Sequence, residues 1–244
     1  MSPESVLWLS VAIFLVATLY SSVGHAGASG YIAVMTLFGL APMVIKPTAL
    51  ALNILVASIA TLQFARSGHF SWKLFWPFAL LAVPAAFVGG YVALPAHVFK
   101  VMLGFVLLFA ALRLLFTAGA EKPARTVPVW LALACGAVIG LLAGLTGTGG
   151  GIFLTPLLLF MGWARPKQAA AVSALFILVN STAGLLGNVS STRQLPSYLW
   201  VLLVAAAVGG ALGSYLGSNR VPATTIKRLL AGVLLIAGGK LVLA

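Results

Sequence analysis

Residues 144–156 read Gly144-Leu145-Thr146-Gly147-Thr148-Gly149-Gly150-Gly151-Ile152-Phe153-Leu154-Thr155-Pro156, with long apolar sequence on both sides. Glycine costs a helix interior about 1 kcal/mol relative to alanine, so a run this dense predicts a break. It also lets the backbone take positive φ and lets other groups come close. Inside a bilayer, non-helical backbone is tolerated only where protein covers it or a cavity lies beside it. The stretch therefore predicts a helix interrupted at membrane depth that restarts just before Pro156. The N–H groups at such a restart are unpaired and carry partial positive charge, which favours an anion. It is not a phosphate-binding P-loop, because no Lys-Ser or Lys-Thr pair follows the glycines.

A thinner copy stands earlier, as Gly24-His25-Ala26-Gly27-Ala28-Ser29-Gly30. A shift of 120 residues carries Gly24, Gly27 and Gly30 onto Gly144, Gly147 and Gly150, Gly89-Gly90 onto Gly209-Gly210, and Asn53 onto Ser173. Farther on the shift becomes 127 and carries Pro95, Lys100 and Arg113 onto Pro222, Lys227 and Lys240. A shift that persists through glycine, proline and basic positions reads as an internal duplication. Residues 1–116 then form a first transmembrane repeat and residues 128–244 a second. The linker is 117–127, a polar stretch with Glu121, Lys122, Pro123 and Arg125. Each repeat divides into five apolar segments: 6–23, 30–44, 47–66, 72–93 and 97–116, then 128–146, 150–163, 167–188, 196–217 and 223–243. The second segment of each is short for a span and follows glycines, as a broken or re-entrant helix would. The fold class expected is an all-α polytopic membrane protein built from two inverted repeats, a recurring transporter architecture.

Composition agrees with that expectation. The 244 residues are 62% hydrophobic and 7% charged, with a mean hydropathy of +1.15, against about 25% charged for a soluble domain. A chain this long has room for about eight to ten spans and no separate catalytic or nucleotide-binding domain. The 14 Lys and Arg outnumber the two carboxylates, Glu4 and Glu121. Basic residues accumulate on the cytoplasmic side. With the N-terminus outside, ten fall inside, among them Arg66, Lys73, Lys122, Arg165, Lys167 and Arg220, whereas Lys46, Lys100, Arg193 and Lys240 fall outside. The linker is then cytoplasmic. The basic residues stand singly between apolar runs, which argues against nucleic acid as a partner. No Lys or Arg precedes the Val6–Val23 run, so it reads as a retained span and not a cleaved signal. Cys135 is the lone cysteine and has no disulfide partner in the chain.

The expected substrate-binding residues are Gly24, His25, Gly27, Ser29 and Gly30 from one break, and Gly147, Thr148, Gly149, Gly150 and Gly151 from the other. Asn53, Ser173, Asn180 and Ser181 lie inside apolar segments and offer amides and hydroxyls to an oxyanion, although the same residue types also bond between helices. Gly140 with Gly144, and Gly209, Gly213 and Gly217, have the small-xxx-small spacing of close helix packing. His69 and His97 fall in loops and read as solvated. No Asp or Glu lies in any apolar segment, so a carboxylate proton relay has no candidate. If transport is proton-coupled, His25 or the substrate's own acid group carries the proton. No metal and no cofactor is expected.

The glycine run leading into Ile152-Phe153-Leu154-Thr155-Pro156-Leu157-Leu158 resembles the signature of the sulfite exporter TauE/SafE family of membrane permeases. Ala171-Val172-Ser173, Ser67-Gly68-His69-Phe70-Ser71-Trp72 and the closing basic segment of each half are similar to that family too, while the first copy departs from it with Ala28 and Ser29 in place of glycines. The resemblance covers nearly the whole chain. It implies a multi-pass permease of the plasma membrane, in a bacterium the inner membrane, for small anions such as sulfite, organosulfonates or sulfoacetate. The expected partners are that anion and the lipid bilayer, with a homo-oligomer left open. Two alternatives stand beside a secondary transporter: an anion channel, and an intramembrane serine protease suggested by Gly27-Ala28-Ser29-Gly30. The protease needs a base beside Ser29, and only the nearby His25 is at hand. An activity of this kind is not expected, and neither is any other enzymatic one.

Overall fold

The computed structural model describes residues 2–92, 126–188 and 195–222, with the isolated positions 108, 112, 225, 228, 229, 231, 232, 235 and 239. The described secondary structure is helical throughout: α1 (Pro3–Ser21), α2 (Ala28–Leu37), α3 (Pro42–Arg66), α4 (Trp72–Tyr91), α5 (Val129–Thr146), α6 (Gly151–Phe160), α7 (Pro166–Gly187) and α8 (Leu199–Tyr215), the last continued by a π turn at Leu216–Arg220. Six of these, α1, α3, α4, α5, α7 and α8, are long and apolar enough to cross a membrane. The two others, α2 and α6, have 10 residues each. At 1.5 Å per residue they cover about half of a hydrocarbon core. The fifth predicted segments, 97–116 and 223–243, apart from the isolated positions, and with them Lys100, Arg113, Lys227 and Lys240, lie outside the described residues, as do Glu121, Lys122, Arg125, His97 and Arg193.

Local chemistry sets where the helices start. Ser2 caps α1, its hydroxyl accepting from the Ser5 N–H at 3.2 Å, and Pro3, Pro42 and Pro166 occupy the first turns of α1, α3 and α7, where a missing N–H costs nothing. Large apolar side chains on the outer faces, such as Leu7, Leu15, Leu80 and Val204, remain exposed, as a lipid-facing surface requires. Trp8, Trp72, Trp130 and Trp200, each near a helix start, are also exposed, in keeping with a belt at the membrane–water interface.

Two apolar cores hold the bundle together. One joins Leu9, Ile13, Tyr31, Met35, Leu52, Val56, Leu202 and Ala206, from α1, α2, α3 and α8. The other joins Phe78, Ala82, Ala132, Ile139, Leu154, Leu158, Val172 and Phe176, from α4, α5, α6 and α7. Each core draws mainly on three helices from one half of the chain and one from the other, and Ile177 of α7 joins the first core as well. The borrowed helix packs closely. A Cβ on Gly136, Gly140 or Gly144 of α5 would strike the carbonyl of Phe78, Ala82 or Ala86 on α4. Likewise a Cβ on Gly209, Gly213 or Gly217 would strike the carbonyl of Phe14, Thr18 or Ser22 at the α1 side. These glycines let backbones touch, the usual meaning of the spacing.

At the end of the bundle where α3 stops and α7 starts, the Ser218 carbonyl of the π turn accepts from Lys167 Nζ at 3.1 Å and from His69 Nε2 at 3.2 Å. Ser67 donates to Asn219 Oδ1 at 3.2 Å and Ser214 to Gln63 Oε1 at 2.8 Å. His69 is thus engaged, not free in solvent as its loop position suggested.

Candidate functional site

Two breaks interrupt the chain between α1 and α2 and between α5 and α6. In the first, Gly24 and Gly27 have φ of +77° and +108°; in the second, Gly147, Gly149 and Gly150 have +73°, +74° and +82°. The backbone register between them is 123, not 120: Gly24 corresponds to Gly147, Gly27 to Gly150, and the helix starts Ala28 and Gly151 to each other. Gly39 and Gly162, at +74° and +65° beyond the short helices, keep the same interval. Because the glycines recur every three residues, a slip of three still aligns most of them, which is how 120 arose. Gly144 in fact lies within α5 against Ala86. Counted from Pro42 and Pro166, the counterpart of Asn53 is Ile177, one turn beyond Ser173.

The long helices α3 and α7 run antiparallel. Asn53 meets Ser181, while farther along Ala60 and Phe64 cluster with Ala170, Ala171 and Ala174. The breaks approach this pair from opposite ends. Gly24 rests on the backbone of Ala170 near the start of α7, and Gly147 rests on the Lys46 side chain near the start of α3. Between them His25, Ala26 and Ser29 face Thr148 and Ile152 across a small pocket that Tyr20 and Ile177 also line. It has room for roughly one water molecule.

Two hydrogen-bond groups line this region. On one side, Asn53 Nδ2 donates to the Thr148 carbonyl at 3.4 Å and to Ser181 Oγ at 3.3 Å, with the Thr146 and Thr148 hydroxyls 2.9 Å apart. On the other, His25 Nε2 pairs with Thr155 Oγ1 at 2.9 Å, and Thr155 donates to Ser173 Oγ at 2.6 Å. His25, Asn53, Ser173 and Ser181 are all buried. His25 Nδ1, Asn53 Oδ1 and Asn180 Oδ1 are buried and have no hydrogen-bond partner. Such atoms are rare in folded proteins and call for an explanation. The described residues contain one carboxylate, Glu4 in the exposed first turn of α1, so no acidic side chain balances or repels charge here.

The structure thus brings together His25, Ser29, Asn53, Thr148, Gly149, Gly151, Ser173 and Ser181. Gly149 stands where a Cβ would meet Ser181, Ile177 and Asn53, and Gly151 stands against Ile177 with His25 3.6 Å away. The others have packing neighbours: Gly27 the Tyr31 ring, Gly30 Val16, Gly150 Phe176 and Ala143. Asn180 folds back to donate to the Phe176 carbonyl of its own helix. Three participants were missed in the sequence. Thr155 sits inside the glycine stretch, where nothing but its hydroxyl marks it among apolar neighbours; Tyr20 and Lys46 are visible only as neighbours in space. Ser29 donates to the Tyr20 hydroxyl at 3.2 Å and His25 bonds to Thr155, so the Ser–His pair of a protease is not formed.

Residues 9–241 match the family described as Sulfite exporter TauE/SafE. The chain belongs to this family. It is 43% identical over 238 residues, 96% of each chain, to the probable membrane transporter protein y4hK of Sinorhizobium fredii. A second Sinorhizobium protein, probable membrane transporter protein ORF9, is 27% identical over 87% of this chain and 81% of its own length. A probable membrane transporter protein of Xylella fastidiosa is 36% identical over 85 residues, 34% of this chain and 31% of its own. No solved structure gives a significant match. As a TauE/SafE member with multiple membrane spans the chain is a membrane transporter and not an enzyme, which removes the protease alternative.

Proposed function

We propose that this TauE/SafE protein is a secondary transporter or facilitator of small organic or sulfur-containing anions, with sulfite, organosulfonates and sulfoacetate as the substrates to test. One observation carries the proposal: the starts of two short helices, α2 and α6, open onto one small pocket whose polar lining, Tyr20, His25, Ser29 and Thr148, includes no Lys or Arg. Helix starts favour an anion. His25, Asn53, Thr148 and Ser181 stand beside it, and nearby backbone N–H groups complete the set. Binding by neutral donors lets an anion be held without the deep trap that a buried Arg or Lys would make.

The halves act as inverted repeats about the α3–α7 pair, with 117–127 as the cytoplasmic linker and the N-terminus outside the plasma membrane. Supporting this are the antiparallel course of α3 and α7 and the exchange of the fourth helix between the cores. Reciprocal breaks at opposite ends of that pair favour alternating access over an open channel, because each entrance can close independently. The direct test is thermal stability of the purified protein with sulfite, isethionate, sulfoacetate, acetate and chloride in turn. A ligand at 100 times its Kd raises stability by about 2.7 kcal/mol. No shift and no uptake into proteoliposomes with any sulfur oxyanion would refute the proposal.

A further inference from the structure

The cavity, the Ser218 hub and the helix starts are already accounted for, whereas one cation beside the break is not. Lys46 stands four residues after Pro42, in the early part of α3, and is half-buried. Its Cγ lies 3.0 Å from where a Cβ on Gly147 would be, with Leu50 next at 3.8 Å. One turn deeper, Asn53 bonds to the Thr148 carbonyl at 3.4 Å and stands 3.1 Å from the Cβ position of Gly149. Lys46, Leu50 and Asn53 are spaced i, i+4 and i+7, one face of a helix, and that face runs along Gly147-Thr148-Gly149. Among the described residues Lys46 makes no ion pair or hydrogen bond, and the one carboxylate, Glu4, belongs to the exposed start of α1. A lysine near a helix end ordinarily snorkels into the headgroup region, but Lys46 is half-buried with its stem against Gly147.

The equivalent position at the other entrance is not a cation. There Gly24 meets the backbone of Ala170, and Ala170 stands four residues after Pro166 as Lys46 does after Pro42. The two contacts therefore differ at this register position, Lys46 in one and Ala170 in the other, while the cation next to Pro166, Lys167, is already bonded to the Ser218 carbonyl.

We infer that Lys46 is the anion-capturing residue of this pathway: it pairs with an incoming oxyanion at the Gly147 end and passes it one to two turns inward to Asn53 and Thr148. This rests on the anion-transport proposal above. Lys46 acts on entry, not in the cavity, so it governs capture more than turnover.

The experiment is initial uptake of radiolabelled sulfite into proteoliposomes at low and high ionic strength, for wild type, Lys46→Arg and Lys46→Gln, with Lys46→Met in place of the glutamine variant if that one is not recovered. Lys46→Gln should lower kcat/KM about tenfold at low salt through KM, with kcat little changed, and should flatten the salt dependence seen in wild type. Lys46→Arg should keep most of both. Wild-type kcat/KM and salt dependence in Lys46→Gln overturn the inference, including when its melting temperature falls, since Lys46 is then an interface anchor reaching for water. A wild-type protein that responds to no sulfur oxyanion overturns the transport proposal and this one with it; a wild-type response with an unaltered Lys46→Gln overturns this one alone.

Discussion

Replacing Gly149 by alanine separates the two meanings a glycine in a break can have. Its φ is +74°, and the space a Cβ would take is already filled: Ser181 Oγ at 2.6 Å, Ile177 Cγ2 at 2.7 Å and Asn53 Nδ2 at 3.1 Å. Alanine in the left-handed region costs about 1–2 kcal/mol. Forcing a methyl into an occupied core adds about 1–3 kcal/mol. Gly162 supplies the control, because its φ is +65° and nothing lies within 4 Å of its Cβ position. Gly162→Ala therefore pays the backbone strain alone. The two variants should differ by about 1–3 kcal/mol, and at about 2–4 °C per kcal/mol for a chain of this size the gap is several degrees. The methyl also pushes Ser181 and Asn53 apart, so the helix start loses two of its polar neighbours. The measurement is the melting temperature of both purified variants in one detergent, with and without a saturating sulfur oxyanion. Gly162→Ala should melt a few degrees below wild type and keep the full ligand-induced shift. Gly149→Ala should melt lower still and lose the shift. Equal melting temperatures with the shift intact in both would refute the reasoning, since the cluster would then have slack and no ligand would touch it.

Thr155→Val removes the hydroxyl between His25 and Ser173 and leaves two buried polar groups short of a partner, at about 1–3 kcal/mol; a lower melting temperature is expected, and an unchanged one would mean that water replaces the hydroxyl. Lys167→Met breaks the bond to the Ser218 carbonyl, which partial exposure reduces to about 1 kcal/mol, so a loss of a few degrees is expected and a loss beyond 10 °C would contradict a merely local contact. Glu121→Cys in a Cys135→Ala background should resist impermeant thiol reagents applied from outside; ready labelling would reverse the proposed sidedness.

Much of the membrane fold was legible in the sequence because the bilayer imposes one strong requirement, long apolar helices, and punishes every exception. The predicted segments 72–93, 128–146 and 167–188 match α4, α5 and α7 within two residues. The short second segments followed from glycines that a helix does not tolerate in such density. The registration between halves was less legible for a physical reason. Glycine spacing encodes where backbone must bend or touch, and Gly24 and Gly144 satisfy it for different reasons, the first with positive φ and the second by lying against Ala86. Sequence alone shows the missing side chain, not which of these uses it serves. Likewise Lys46 and Tyr20 look like an interface cation and a span aromatic until Gly147 and Ser29 are placed beside them.

Comparing the two breaks in their structural register shows what they share and where they differ. Positive φ at the first and fourth positions, a helix start just after, and a close contact with the opposing long helix are common to both. The side chains are not. His25 stands where the second copy has Thr148, Asn53 where it has Ile177, and Lys46 where it has Ala170. A shared backbone geometry is what two helix breaks need if both lie at membrane depth and must have their exposed groups covered, a demand that does not depend on the cargo. Side chains are free to differ once one copy supplies enough donors. Lys46 and Asn53 share one face of α3 with Leu50 between them, and Asn53 meets Ser181 of α7. Under the proposed transport, the shared backbone breaks would act as the hinges of alternating access, and the side chains that differ between them would set what is carried.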